Sequence, residues 1–85
     1  MPRRVVLVIH TSANFNDIKN IFTEILKYRL LNSTENTAIL EKGSKFLTYL
    51  GLTNPRVVHR VVKISHLGQH SEHNVFNLQY EFSWL

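Results

Sequence analysis

The segment Arg56-Val57-Val58-His59-Arg60-Val61-Val62-Lys63 holds three fixed positive charges, one imidazole and no acid. On an extended strand alternate residues share a face, so Arg56 and Arg60 fall on one side and His59 and Lys63 on the other. Arginines four residues apart on a strand stand about 13 Å apart, near two phosphate steps of a single-stranded nucleic acid. Arg3 and Arg4 add a second basic pair near the N-terminus. Phosphate contacts are therefore expected at Arg3, Arg4, Arg56, Arg60 and Lys63.

His66, His70 and His73, with Glu72 among them, crowd into eight residues. Three imidazoles suit Zn²⁺, but this spacing matches no zinc signature. The segment is also rich in Gly, Gln, Ser and Asn, so a solvated loop is expected and no metal is assigned. His10-Thr11-Ser12 resembles one half of the paired His-X-Thr/Ser motif of the two-histidine phosphoesterases. The second half is missing, because Arg60 and Val61 follow His59. No Ser/His/Asp set or carboxylate pair stands out, and Gly43, Gly51 and Gly68 are too scattered for a phosphate loop. The expectation is a non-enzymatic protein with no catalytic residue and no cofactor.

Aromatic chemistry concentrates at the C-terminus. From Phe76 to Trp84 apolar and polar residues alternate, with Phe76, Leu78, Tyr80, Phe82 and Trp84 on one face and Asn77, Gln79, Glu81 and Ser83 on the other. A period of two marks a half-buried strand. Exposed, these rings would stack on bases. In a chain this short they do more as core, and burial is expected.

The remaining elements must position these groups. Val5–Ile9 reads as a strand apolar on both faces, the pattern of a central strand covered on two sides. Asn14 is the expected N-cap of a helix from Phe15 to about Leu30, with Asp17 in its first turn. Phe15, Ile18, Ile21, Phe22, Ile25, Leu26 and Leu30 share one broad face at helical period. Arg29 interrupts that arc. Either the helix frays before it, or its stem packs and its charge snorkels, or it meets a carboxylate or phosphate outside the helix. Residues 32–37 read as a polar loop. Residues 38–50 read either as a hairpin or as a strand followed by a short helix, Lys45–Leu50, which is preferred. Arg56 to about Leu67 is a strand. A seven-residue polar connection, Gly68–Asn74, joins it to the terminal strand from Val75.

The expected fold is one α+β domain over residues 1–85, in β-α-β-α-β-β order with the middle pair open. An antiparallel sheet of three to four strands carries one long amphipathic helix and one short helix on one face. The chain has ten Lys and Arg against six Asp and Glu, a net charge of +4. That balance suits an acidic partner. It is spread evenly, with six basic and four acidic groups in residues 1–43 (+2) and four and two in residues 44–85 (+2). There is no cysteine, so disulfides and thiolate sites are excluded. No signal peptide or transmembrane segment is readable, and a soluble, intracellular protein with no membrane contact is expected. The functional expectation is a small basic module that contacts nucleic acid or a nucleoprotein assembly through its basic strand. The alternative is a homodimeric or protein-docking protein that uses its sheet edge.

Overall fold

Alternation of apolar and polar residues decides most of this chain, and it decides it in favour of sheet. The computed structural model describes residues 3–43 and 58–84. It contains five strands: β1 (Arg3–Thr11), β2 (Arg29–Ser33), β3 (Thr37–Lys42), β4 (Val58–His70) and β5 (His73–Trp84). They form one sheet in the order β1-β5-β4-β3-β2, with every neighbouring pair antiparallel. The expected three to four strands with a long helix are thus replaced by five strands and an eleven-residue helical segment. The preferred short helix at Lys45–Leu50 and the residue Arg56 lie outside the described residues.

The helix starts where the sequence places it. Asn14 Oδ1 accepts from the Asp17 N–H at 2.8 Å, and Asp17 Oδ2 accepts from the Asn14 N–H at 3.3 Å, a reciprocal capping box. It stops far earlier than Leu30. α1 covers Phe15–Asn20 and passes into a π-turn at Ile21–Ile25. The Leu26 N–H then donates to Ile21 O at 3.0 Å, and the Tyr28 N–H to Phe22 O at 2.8 Å. Lys27, at φ 62, takes the left-handed conformation that closes a helix end. Two causes are local. Ile21, Thr23 and Ile25 are β-branched and stiff in a helix. The Thr23 hydroxyl donates back to Lys19 O at 3.1 Å, a bond that competes with the regular ladder. The third cause is tertiary, because residues 29–33 pair with β3 as an edge strand, around a bulge at Leu31. Arg29 is therefore outside the helix altogether, and its guanidinium bonds the Glu41 carboxylate on β3.

The connection between β4 and β5 is also shorter than expected. The strands pair out to His70 and His73, leaving only Ser71-Glu72 as a turn. Ser71 supplies the positive φ, 61, that such tight turns require. Part of the expected loop is ladder, and it holds a bulge: Leu67 is extra between the pairs His66–Phe76 and Gly68–Val75. Gly68 sits at φ 138, where a side chain would be strained.

One face of the sheet carries the core. Ile18 and Phe22 from the helical segment and Tyr28 after it pack on Ala38 and Leu40 of β3, Val62 and Ile64 of β4, and Phe76 and Leu78 of β5. Leu40, Val62, Ile64 and Phe76 lose all contact with solvent. Each such side chain contributes about 1.5–3 kcal/mol. Of the terminal aromatic row, Phe76 and Leu78 are buried, while Tyr80 and Phe82 are half-buried and stacked at 6.1 Å. The core centres on β3, β4 and β5. β1, read from sequence as a central strand, is at the edge instead.

Candidate functional site

The residues expected to hold phosphate are divided between the two faces. Register across β1, β5, β4 and β3 aligns Arg3, Phe82, Arg60 and Lys42 in one row at one end of the sheet. Neighbouring strands lie about 4.8 Å apart, so Arg3 and Arg60 are about 10 Å apart at the backbone. Arg60 is exposed on the helix side, beside the half-buried Phe82. Lys42 is partly used by the fold, its ammonium donating to Leu26 O at 2.7 Å and lying 5.7 Å from the Tyr28 ring centre.

Arg4 and Lys63 are exposed on the far face. They are two strands and two residues apart, about 12 Å. Arg4 stands opposite Glu81, and Lys63 opposite Gln79. Glu81 shares this far face, so the register keeps it from pairing with Arg60 across the sheet. The five expected contacts thus form no single patch: Arg60 faces one way, Arg4 and Lys63 the other, and Arg56 is outside the described residues.

The far face also carries an Arg29–Glu41–His59 network that sequence reading missed. Glu41 bonds Arg29 on one side, and on the other its Oε2 lies 3.0 Å from His59 Nε2. The bond to His59, then that to Arg29, holds the Glu41 carboxyl below the ordinary carboxylate range. Of this trio only an acid partner for Arg29 was legible, as one of three options, and the acid's identity depended on β2–β3 register.

The histidine cluster does not assemble. His70 and His73 face each other across the hairpin, while His66 lies on the helix side of the bulge. There His66 Nε2 lies 3.0 Å from Asn74 Oδ1, and its ring packs at 4.9 Å on Phe76. Asn74 in turn donates to Ala13 O at 3.0 Å, tying the hairpin to the β1–α1 loop. Among the described residues no three ligands gather for a metal. His10 is exposed on β1, and at the end of that strand Thr11 Oγ1 accepts from the Ala13 N–H at 3.1 Å.

The most distinctive surface is β1 itself. It pairs with β5 along nine residues, Arg3–Phe82 to Thr11–Asn74, without a register break. Its outer edge has no strand partner among the described residues. Val6, Leu7 and Val8 are 55%, 48% and 57% exposed. The opposite edge is built differently. β2 has five residues, carries Arg29, and is broken by a bulge between Leu30 and Asn32. Bulges, charges and brevity are the ordinary means of blunting a sheet edge, and β1 lacks them between Val5 and Ile9. The sequence does show this apolar run, but a run covered on both faces and an edge strand look alike until the strand order is known.

No family model matches the sequence, and no curated protein or solved structure matches it. No helix among the described residues is long and apolar enough to cross a membrane.

Proposed function

We propose that this chain is a non-enzymatic assembly module that docks a strand of a partner protein on the outer edge of β1. The observation that carries this reading is the unbroken nine-residue edge with Val6, Leu7 and Val8 about half exposed. Edge pairing offers the free N–H and C=O groups of β1 a ladder, and offers its apolar side chains neighbours on both faces. The experiment is sedimentation velocity, with and without candidate partners, between 50 mM and 500 mM salt. Association through an apolar edge persists across that range, whereas association through phosphate contacts falls steeply.

A second reading rests on the aligned row of Arg3, Phe82, Arg60 and Lys42. Cations aligned with a half-buried aromatic suit contact with a single-stranded nucleic acid, with Arg4 and Lys63 steering from the far face. Fluorescence anisotropy with a labelled oligonucleotide tests it: Arg60→Ala is expected to weaken binding and flatten its salt dependence, and an unchanged curve removes the reading.

A further inference from the structure

The outer edge of β1 is complementary to itself. Arg4-Val5-Val6-Leu7-Val8-Ile9-His10 reads nearly the same in both directions about Leu7: a basic side chain, a β-branched residue, valine, leucine, valine, a β-branched residue, an imidazole. We infer that the partner strand is β1 of a second copy, paired antiparallel and registered on Leu7, so that two five-stranded sheets become one of ten. This inference rests on the edge-docking function proposed above and specifies its partner.

The register follows from three constraints. Full overlap of Arg3–Thr11 with its own copy has its midpoint at Leu7. In that register Val6 meets Val8 of the second copy on the far face. Leu7 meets its own equivalent on the helix side, and Val5 meets Ile9. Every apolar residue of the run finds an apolar neighbour on the correct face. A shift of the partner by one residue instead places side chains of opposite faces against each other.

Charge selects the direction. β1 carries Arg3 and Arg4 and no acid. A parallel arrangement in register sets arginine beside arginine. The antiparallel one sets Arg4 beside His10 and Arg3 beside Thr11. The two Arg4 residues then stand six residues apart along the ladder, about 20 Å. That exceeds the screening length of about 8 Å at physiological salt.

Closure is favoured over a filament by the other edge. The short, bulged, arginine-bearing β2 is not an equivalent acceptor for β1. An interface that uses the same strand twice is isologous and stops at two copies.

The absence of cysteine makes the test direct, because any introduced thiol is the only one. Residues directly opposed in an antiparallel pair have Cα atoms about 4.5–5.5 Å apart, within disulfide reach. In the Leu7 register the two Val6 residues are offset by two positions along the ladder, giving a Cα separation of about 8.5 Å, beyond that reach. Leu7→Cys is therefore expected to form a disulfide-linked dimer under mild oxidation, and Val6→Cys alone is not. A mixture of Val6→Cys and Val8→Cys chains, one of them tagged, is expected to cross-link between the two. Cross-linking of Val6→Cys with itself, or none at Leu7→Cys and none in the mixture, overturns the inference. The edge-docking reading is judged separately by sedimentation. If lysine at Val6 and Val8 abolishes association while the cysteine pattern fails, the edge is used but with another partner or register. If lysine there changes nothing, the edge reading itself is wrong.

Discussion

Replacing Val6 and Val8 together by lysine separates the role of β1 in the fold from its role in assembly. Within the chain the two valines are 55% and 57% exposed, so each buries a little under half of its side chain. Full burial of a valine is worth about 1.5 kcal/mol, so the monomer loses about 0.6 kcal/mol per site. The lysine stems recover part of that by lying along the sheet. The double variant is then expected to fold, with its urea midpoint lowered by no more than about 1 M. Pairing to a second β1 covers the remaining half of each valine at four sites. Depending on how completely it does so, the lost burial is about 1.5–3 kcal/mol, and the dissociation constant rises about ten- to a hundredfold. Direct opposition of lysines across the ladder adds to this. Sedimentation equilibrium on both proteins reads the change, and Leu30→Lys with Leu31→Lys on the blunted β2 edge is the matched control. A dissociation constant within threefold of the parent's would falsify the edge reading. So would a loss of several kcal/mol in monomer stability, since that places Val6 and Val8 in the core.

Other expectations follow from single features of the fold. Gly68→Ala meets no atom within 4 Å of the new Cβ, so its cost is purely the strain of φ 138, about 1–3 kcal/mol by urea denaturation. Gly43→Ala, equally unobstructed but without a positive φ in the glycine-favouring range, is expected to be neutral or stabilising by up to about 1 kcal/mol. Leu40→Ala removes a fully buried side chain at the sheet centre and is expected to cost about 2–5 kcal/mol, read as a lower thermal midpoint. Glu41 has a depressed pKa when folded, so its contribution is present above the ordinary carboxylate range. It is lost as pH falls through the folded value. Glu41→Gln should therefore reduce stability at pH 7 and flatten its decline on acidification; parallel pH curves for the two proteins refute the link.

The sequence disclosed local structure better than strand order. The capping box at Asn14 and Asp17 and the two-residue period of the terminal strand needed only near neighbours to be read, and both are present. The helix was overread because Ile21, Ile25, Leu26 and Leu30 lie at helical spacing. Ile21, Ile25 and Leu26 lie within the helical segment or at its C-cap, before Lys27 closes it, and Leu30, next at that spacing, belongs to a strand. Periodicity reports the spacing of apolar groups, not whether the backbone between them continues. The hairpin was underread for the converse reason. Gly, Gln, His and Ser signal a loop by composition, yet a bulge at Leu67 and a positive φ at Ser71 let the ladder run through them.

The same limit explains why the proposed function rests on β1 and not on β4. A strand's charges declare themselves in sequence, and Arg56, Arg60 and Lys63 were conspicuous for that reason. A strand's position in the sheet is a long-range property, fixed here by β5 returning to lie between β1 and β4. Among the described residues, that insertion gives β4 two neighbours and leaves β1 with one. It turns five consecutive apolar residues from a sign of burial into a sign of incompleteness. A chain with a thin core does better to cover such an edge than to leave it wet, because each half-exposed valine or leucine is worth about as much at an interface as in the interior. If the partner is a second copy, as proposed, the reversibility of the run about Leu7 lets it provide that cover without a second sequence having to be matched to it.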